Sequence, residues 1–301
     1  MSGAKTLSSH GLPDGYAVPS RACDSHMHVF GPVSRFPGVE GHSYAPRPAP
    51  LEDWRRSIGA LGLERAVIVQ PSCYGTDNTC TLESVSSMGE HARAVVSIGH
   101  DITEAELLEL HEAGARGVRL NAKSVGSRDA GAIAAEVKAV AERIAPLGWH
   151  LQLHAEAAVI VRLSEALHAL ECPVVIDHMG GMRVPQDDSH LVSLQALLRG
   201  GNCWVKLSAP YRIVEHGGLF DETCSLAAAL IAANPARVVW GSDWPHTSEH
   251  AGRPQADPQQ VDFRCIDSNE LLALLAKQCC DESTFVRILV DNPAALYGFP
   301  V

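Results

Sequence analysis

The sequence alternates between short runs rich in β-branched residues and longer segments in which apolar residues recur at helical spacing. Strands that are separated by helices pair in parallel, and eight such units close into a barrel. The spacing predicts strands at residues 22–29, 65–70, 94–98, 117–121, 150–154, 174–177, 204–207 and 238–241. We therefore expect an α/β fold, a single-domain (β/α)8 TIM barrel over residues 22–301, preceded by a flexible segment at residues 1–21.

The main structural alternative is a doubly wound open sheet. That fold usually carries a glycine-rich phosphate turn after an early strand, and neither GxGxxG nor GxxxxGK[ST] occurs in the sequence. The barrel is therefore favoured. Two long connections, at residues 31–50 and 247–269, are expected to act as flaps over the barrel mouth.

The net charge and the cysteine spacing limit the kinds of molecule that the protein is expected to bind. The formal net charge of -11 argues against nucleic acid, which is bound by clustered lysine and arginine side chains. Neither a signal peptide nor a membrane-spanning apolar run is recognisable, and the nine cysteines show no CxxC spacing. We expect a cytoplasmic protein that acts on a small molecule without a membrane partner, and a homo-oligomer is compatible with this prediction.

The predicted strands end in polar residues, and in a (β/α)8 barrel this is the end that carries the active site. Alternate residues of a strand share a face, so His26 and His28 are expected to point the same way. A single histidine at a strand end is more often structural than functional. Four histidines and an aspartate at such ends favour a catalytic site; they are His26, His28, His154, His178 and Asp243.

Three motifs in this order resemble the amidohydrolase superfamily: DSHMH, DHMGG and GSDWPH. The run HMHVFGP, together with GVRLN, SAPYR and GSDWPH, is similar to the 2-pyrone-4,6-dicarboxylate lactonase branch of that superfamily. The resemblance extends from Asp24 to Phe299. HxH alone is a weak signal, whereas the ordered set is specific.

The resemblance implies roles for the strand-end residues. In the lactonase branch, which works without a metal, His26, His28 and His178 would donate hydrogen bonds to the lactone carbonyl. Asp243 would take the proton from the attacking water. Elsewhere in the superfamily, equivalent residues bind one or two divalent metal ions.

One departure from the lactonase pattern reopens the question of a metal. A histidine, His154, stands where that branch has a tyrosine. With it, His26, His28, His154 and Asp243 form a plausible ligand set for one divalent ion, zinc or manganese. The sequence leaves both alternatives open, no metal or one. A two-metal site is disfavoured because Arg119 occupies the position of the bridging lysine.

The resemblance also implies an anionic substrate. Arg119, Arg212, Tyr44 and Ser72 match carboxylate-binding positions of the family, and an arginine fork suits a planar carboxylate. His246 would help to orient the substrate. The second arginine of the dicarboxylate binders is replaced by Val125, so the second acidic group is expected to be absent, differently placed or a sulfonate. Lys123 lies near this position but out of register and is also expected to bind the substrate, and the candidate substitutes for the arginine are Arg128 and Arg183.

The leading functional prediction is a hydrolase of carboxylic esters (EC 3.1.1-type). It would open an anionic lactone, such as a 2-pyrone-dicarboxylate or muconolactone-type intermediate of aromatic degradation. The alternatives are a metal-dependent decarboxylase of an aromatic or muconate acid and an isomerase of a sugar-acid lactone. A barrel that only binds an anionic metabolite is disfavoured, because binding does not require Asp243 beside a histidine cluster.

Overall fold

The computed structural model describes residues 11–40, 44–123, 129–185, 187–214, 219–248 and 260–300. Within these residues, eight parallel strands form one sheet in the order β1 to β8. Their bounds are β1 Cys23–Met27, β2 Arg65–Val69, β3 Ala92–Val96, β4 Ala115–Asn121, β5 His150–His154, β6 Val174–Ile176, β7 Cys203–Leu207 and β8 Val238–Trp240. A parallel bridge from Met27 to Trp244 returns the last strand to the first, which confirms the predicted barrel.

In the part of the chain that the structure describes, helices cover the outside of the barrel, with one between each pair of successive strands and three more after the last strand of the barrel. Their bounds are α1 Leu51–Ser57, α2 Thr79–Met88, α3 Glu104–Glu112, α4 Ala130–Ile144, α5 Ala157–His168, α6 Asp188–Arg199, α7 Cys224–Ala233, α8 Ser268–Gln278, α9 Glu282–Val286 and α10 Asn292–Tyr297. Their buried apolar stripes, for example Ile133, Val137 and Ile144 of α4, pack against the sheet. Among the residues described, no helix is both long and apolar enough to cross a bilayer.

The observed strands match the predicted ones apart from their ends. The largest shift is in β3, which was expected at residues 94–98 and is found at Ala92–Val96. The strand ends early because the Asn78 side chain bonds both backbone groups of Ser97, with its Oδ1 3.0 Å from the nitrogen and its Nδ2 2.8 Å from the oxygen. Those groups therefore leave the sheet ladder, an interaction that hydrophobic periodicity does not reveal.

The junction between β1 and the segment after β8 is fixed by a buried carboxylate. Asp24 accepts hydrogen bonds from the backbone and hydroxyl of Ser242, at 2.8 and 2.6 Å, and from Nε1 of Trp54 at 3.0 Å. The two backbone segments approach so closely that a Cβ at Gly241 would lie 2.5 Å from Cβ of His26. Glycine at position 241 therefore allows the barrel to close directly beneath His26.

The two predicted flap loops contact each other at the barrel mouth. A two-residue strand at Ala45–Pro46 pairs in parallel with Gln260–Val261. Phe30, directly before the first loop, stacks its ring on Phe263 at a centroid distance of 5.9 Å. Residues 41–43 and 249–259 of these loops lie outside the described residues. Residues 1–10 of the predicted N-terminal segment also lie outside them, whereas Leu12 is buried in the core.

Candidate active site

Four histidine rings form a row at the C-terminal ends of the strands. The His26 ring lies 5.0 Å from that of His28 and 4.8 Å from that of His178, and His178 lies 4.8 Å from His154. All four side chains are buried. The alternation of strand residues therefore places the predicted histidines in one cluster, as expected for the inward face of a barrel.

Asp243 faces this row with one oxygen and is held by the other. Its Oδ1 lies 3.5 Å from Nε2 of His26, 3.6 Å from Nε2 of His28 and 3.9 Å from Nε2 of His178. Its Oδ2 accepts hydrogen bonds from the Tyr211 hydroxyl at 2.5 Å and from Nε of Arg212 at 3.0 Å. The carboxylate is thus fixed in rotation, with Oδ1 directed at the imidazoles.

The backbone at this end of the barrel adopts an uncommon conformation. His178, Ala209 and Asp243 have positive φ angles of 50°, 49° and 59°, the left-handed region that non-glycine residues rarely occupy. Each such residue costs about 1–3 kcal/mol, and such strain tends to cluster at functional sites. The turns after β6, β7 and β8 therefore contain strained residues, and these turns hold His178 and Asp243 above the barrel centre.

The charge states of the site follow from its burial. Burial alone would raise the pKa of Asp243, but Arg212 and the neighbouring histidines outweigh it and hold the pKa well below its usual range. Burial lowers the pKa of His178 to about 4 and the pKa values of His26 and His154 well below their ordinary value. At neutral pH the site therefore contains an ionised carboxylate beside neutral His26, His154 and His178.

The contact between His28 and the backbone fixes the orientation of its ring. Nδ1 lies 2.8 Å from the carbonyl oxygen of Val69, which can only accept, so Nδ1 carries a proton. In the neutral ring, Nε2 then presents a lone pair towards Asp243. This Nε2 and Oδ1 of Asp243 lie 3.6 Å apart, and a donor such as water can bridge the two acceptors. With Nδ1 bonded to Val69, Nε2 is the nitrogen of His28 that faces the site. The neutral ring would accept a hydrogen from water there, whereas the carbonyl-donor role expected from the sequence requires a proton on both nitrogens.

A charged network lies directly beneath the histidine row. Asp177, which follows β6, accepts from Nε2 of Gln152 at 3.0 Å and lies 3.5 Å from Nε of Arg119. Lys206 on β7 is fully buried and donates to Oε1 of Gln152 at 2.7 Å. Burial lowers the pKa of Lys206 to about 8 although Asp177 opposes the shift, so the amine is mainly protonated at neutral pH. The sequence-based site omitted Asp177 and Lys206.

The predicted substrate-binding residues divide into buried and exposed groups. Tyr44 is buried and hydrogen-bonds to Ser72, which places these two predicted residues side by side. Arg119 is only 8% exposed and is directed towards Asp177. Arg212 donates from Nε to Asp243. Its Nη2 donates to the backbone and hydroxyl oxygens of Thr247 at 3.0 and 2.9 Å. Arg212 therefore orients the carboxylate.

The remaining predicted residues lie further out on the loops. Lys123 and Arg183 are exposed, and the backbone nitrogen of Lys123 donates to the carbonyl of His154 at 3.1 Å. Val125 and Arg128 lie outside the described residues. His246 is buried, with its ring 5.8 Å from that of Tyr211, and burial lowers its pKa to about 4. Neutral His246 therefore forms part of the wall behind Asp243.

Arg264 is a cation near the site that sequence reasoning missed. Its guanidinium carbon lies 5.3 Å from the centroid of the Tyr211 ring, as does that of Arg212. Its Nε is buried without a hydrogen-bond partner in the described part of the chain, and the nearby Asp262 pairs instead with Arg47 at 2.8 Å. The mouth of the barrel therefore contains a guanidinium whose charge no described carboxylate neutralises.

Comparison with known families agrees with this geometry. A family model described as amidohydrolase matches residues 23–299. The chain belongs to the amidohydrolase family. The matched span contains the entire barrel and every site residue described above.

Relatives of this amidohydrolase include several enzymes that act on lactones. It is 33% identical to the 4-sulfomuconolactone hydrolase of Rhizobium radiobacter over 292 residues, 95% of this chain and 93% of the relative. It is 33% identical to the 2-pyrone-4,6-dicarboxylate hydrolase of Comamonas testosteroni, with 94% and 92% coverage. It is 31% identical to the D-galactarolactone isomerase of Agrobacterium fabrum, with 93% and 92% coverage. These similarities confirm the lactonase-like branch.

A crystal structure from Agrobacterium tumefaciens has a similar fold. Its TM-score is 0.79 at 28% sequence identity, and the match covers 94% of this amidohydrolase and 98% of that chain. The single-domain barrel is therefore shared across nearly the full length of both proteins.

The donor set of this amidohydrolase fits a divalent metal ion at two overlapping positions. Among the described residues, ligand atoms lie within 4.8 Å of one another in His26, His178 and Asp243, and in His154, Asp177 and His178. Nε2 of His26 and both ring nitrogens of His154 are buried without hydrogen-bond partners. Of the ligands predicted from the sequence, His26 and Asp243 belong to the first group and His154 to the second, whereas His28 belongs to neither.

Proposed function

We propose that this amidohydrolase opens a small anionic lactone by adding water to its carbonyl. The observation that carries this proposal is the asymmetry of Asp243. Tyr211 and Arg212 hold Oδ2, while Oδ1 faces three imidazole nitrogens. A carboxylate that is ionised, oriented and directed at a cluster of neutral rings is suited to act as a general base.

The attacking water would lie between Asp243 and His28. It donates one hydrogen to Oδ1 and the other to the lone pair on Nε2 of His28, which leaves an oxygen lone pair free for the lactone carbonyl. As the new C–O bond forms, Asp243 takes the proton and the carbonyl oxygen becomes an oxyanion. The ring C–O bond then breaks, and the proton held by Asp243 passes to the departing ring oxygen.

Imidazole N–H groups would stabilise the developing oxyanion. His26 and His178 are buried beside Asp243, and Nδ1 of His178 lies 2.8 Å from the Ser208 hydroxyl. When that hydroxyl donates to Nδ1, Nε2 of His178 carries the proton and becomes a donor to the substrate. Fixed donors in a dry site are an effective source of oxyanion stabilisation.

Cationic and hydroxyl side chains around this centre would bind the anionic groups of the lactone. Arg264 contributes a guanidinium that no carboxylate of the described residues pairs with, Arg119 a buried one, and Tyr44 with Ser72 a pair of hydroxyls. Guanidinium groups bind both carboxylate and sulfonate oxygens, so the geometry suits either class. The names of two 33% identical relatives, a sulfomuconolactone and a pyrone-dicarboxylate hydrolase, support the same substrate class.

A divalent ion such as zinc or manganese would be held by His26, His178 and Asp243 or by His154, Asp177 and His178. When bound, it would supply Lewis-acid polarisation of the lactone carbonyl. The proton transfer to Asp243 and the binding of the anionic groups are functions of the chain itself.

The proposal is tested with a panel of lactones that carry one or two carboxylate or sulfonate groups, with neutral lactones as controls. Reactions are run in ¹⁸O-labelled water, before and after chelation. We expect ring opening of anionic lactones with one ¹⁸O atom in the new carboxylate. Hydrolysis of neutral lactones at an equal rate would contradict the proposed substrate class.

A lactone isomerase is the second candidate, because the D-galactarolactone isomerase is 31% identical over nearly the whole chain. The same experiment separates the two reactions. An isomerised lactone without ¹⁸O would support the isomerase, and release of carbon dioxide would instead indicate the decarboxylase predicted as an alternative from the sequence.

A further inference from the structure

Lys206 is a buried cation in direct contact with the histidine row. Its side chain is fully inaccessible to solvent, and Nζ lies 2.7 Å from Oε1 of Gln152, 3.3 Å from Nδ1 of His26 and 3.8 Å from Oδ1 of Asp177. An ammonium group has three hydrogens and no lone pair, so it can only donate. The nitrogen of His26 that it contacts must then accept.

Asp177 competes with Lys206 for Nδ1 of His26. Oδ1 of Asp177 lies 3.4 Å from Nδ1 of His26 and would accept a proton carried there. However, the 3.4 Å contact between Nδ1 of His26 and Oδ1 of Asp177 lies outside hydrogen-bond geometry, whereas the 3.3 Å contact from Lys206 meets it. The other carboxylate oxygen is already satisfied by Gln152 at 3.0 Å. The geometry therefore favours donation from Lys206 over donation to Asp177.

We propose that Lys206 is a positioning residue that holds His26 in the tautomer with its proton on Nε2. In this tautomer, the N–H bond is directed into the site, where Oδ1 of Asp243 lies 3.5 Å away. His26 is then a hydrogen-bond donor to a carbonyl oxygen in the site. This role in catalysis rests on the proposed function, whereas the tautomer itself does not.

The same contact determines whether His26 can bind a metal through Nε2. Ligation requires a lone pair on Nε2, and hence a proton on Nδ1, which Asp177 could accept and Lys206 could not. Lys206 and Asp177 therefore favour opposite states of one ring that differ by the position of a single proton. Lys206 selects the donor state and weakens metal binding through His26.

The tautomer can be observed directly in the wild-type protein. Long-range ¹H–¹⁵N correlation spectra of chelator-treated, ¹⁵N-histidine-labelled protein distinguish a protonated ring nitrogen from an unprotonated one. The His26 signals are assigned by their loss in His26→Gln. We expect Nδ1 to be unprotonated and Nε2 protonated at pH 7. The opposite pattern would overturn the proposal, even if the protein hydrolyses lactones.

Lys206→Met tests the consequence for metal binding, because methionine retains an aliphatic chain of similar length without the charge. We expect the His26 proton to move to Nδ1, zinc to bind at least tenfold more tightly by calorimetry, and kcat without added metal to fall with little change in KM. The matched control is Lys277→Met, which removes an exposed lysine paired with Asp221 at 2.9 Å and should leave all three quantities unchanged.

Failure of this inference can be distinguished from failure of the proposed function. A protonated Nε2 in a protein that opens no lactone would contradict the function and leave the role of Lys206 in the tautomer standing. Unchanged zinc affinity in folded Lys206→Met would contradict the proposed selection against metal. If that variant does not fold, the wild-type spectrum decides by itself.

Discussion

The hydroxyl of Tyr211 donates a hydrogen bond of 2.5 Å to Oδ2 of Asp243 in a buried position. Together with Nε of Arg212, it occupies the oxygen that does not face the histidines. A general base acts efficiently only when its free lone pair is aligned with the proton that it removes. We therefore attribute the orientation of Asp243 to Tyr211 and Arg212, two residues that need not contact the reacting atoms.

The first prediction concerns the variant Tyr211→Phe. A hydrogen bond to a buried charge is worth about 1.5–3 kcal/mol, so kcat should fall about 10- to 100-fold while KM changes little. The acid limb of the pH–rate profile should also move upward, because the lost donor stabilised the ionised carboxylate. Steady-state kinetics between pH 3.5 and 8 measure both effects.

A matched control for that variant is Tyr297→Phe. The Tyr297 ring is buried at the start of the strands, against Cys23 and His150, away from Asp243. Removal of the Tyr297 hydroxyl should leave kcat within about twofold of the wild type, as expected for a change outside the site. Equal losses in the two variants would contradict the specific role of Tyr211.

The second prediction is the pH dependence of the wild-type enzyme. The pKa of Asp243 lies well below its usual range, and burial lowers that of His178 to about 4. Because Asp243 is active when ionised and His178 when neutral, kcat/KM should stay constant from pH 8 down to about pH 5 and decline near pH 4. An acid limb centred near pH 6.5, the ordinary histidine range, would be inconsistent with this site.

The third prediction tests Arg264 as a substrate-binding residue. Replacement by glutamine should raise KM about tenfold for a dianionic lactone, since one charge-assisted hydrogen bond contributes about 1.5 kcal/mol. kcat should change little. Arg47→Gln is the control, because that arginine is 60% exposed and paired with Asp262. If KM rises equally for monoanionic and dianionic substrates, Arg264 does not bind the second anionic group.

The fourth prediction concerns the pH dependence of stability. Burial lowers the pKa of His150 to about 3, so the unfolded chain binds more protons than the native protein between about pH 3 and 6.5. The free energy of unfolding should therefore fall as the pH drops below 6.5, by about 3 kcal/mol from this residue by pH 4. Denaturant titrations should show a weaker pH dependence for His150→Phe. Parallel curves for the two proteins would exclude this contribution.

The sequence was sufficient to predict the barrel and the row of histidines. Both depend on regular spacing: eight strand–helix units, and alternate positions such as His26 and His28 that share a face. The motif GSDWPH located Asp243, although not the rotation of its carboxylate. That rotation depends on Tyr211 and Arg212, which follow a different strand.

Lys206, Asp177 and Arg264 were missed for physical reasons. Lys206 lies within an apolar strand, and the sequence does not show that a lysine there is directed into the barrel beside three buried polar partners. Arg264 lies on the connection at residues 247–269, where no periodic pattern relates sequence position to distance from the site. Contacts between distant segments determine these roles, and local patterns do not encode them.

The central claim is that Asp243 acts as the general base in the hydrolysis of an anionic lactone. It is tested most directly by single-turnover kinetics of Asp243→Asn, with substrate affinity measured separately by calorimetry. Asparagine preserves the shape of the side chain and removes its capacity to accept a proton. We expect the rate of ring opening to fall about 10³- to 10⁴-fold while the lactone still binds. A variant that retains the rate within tenfold of the wild type would contradict the claim.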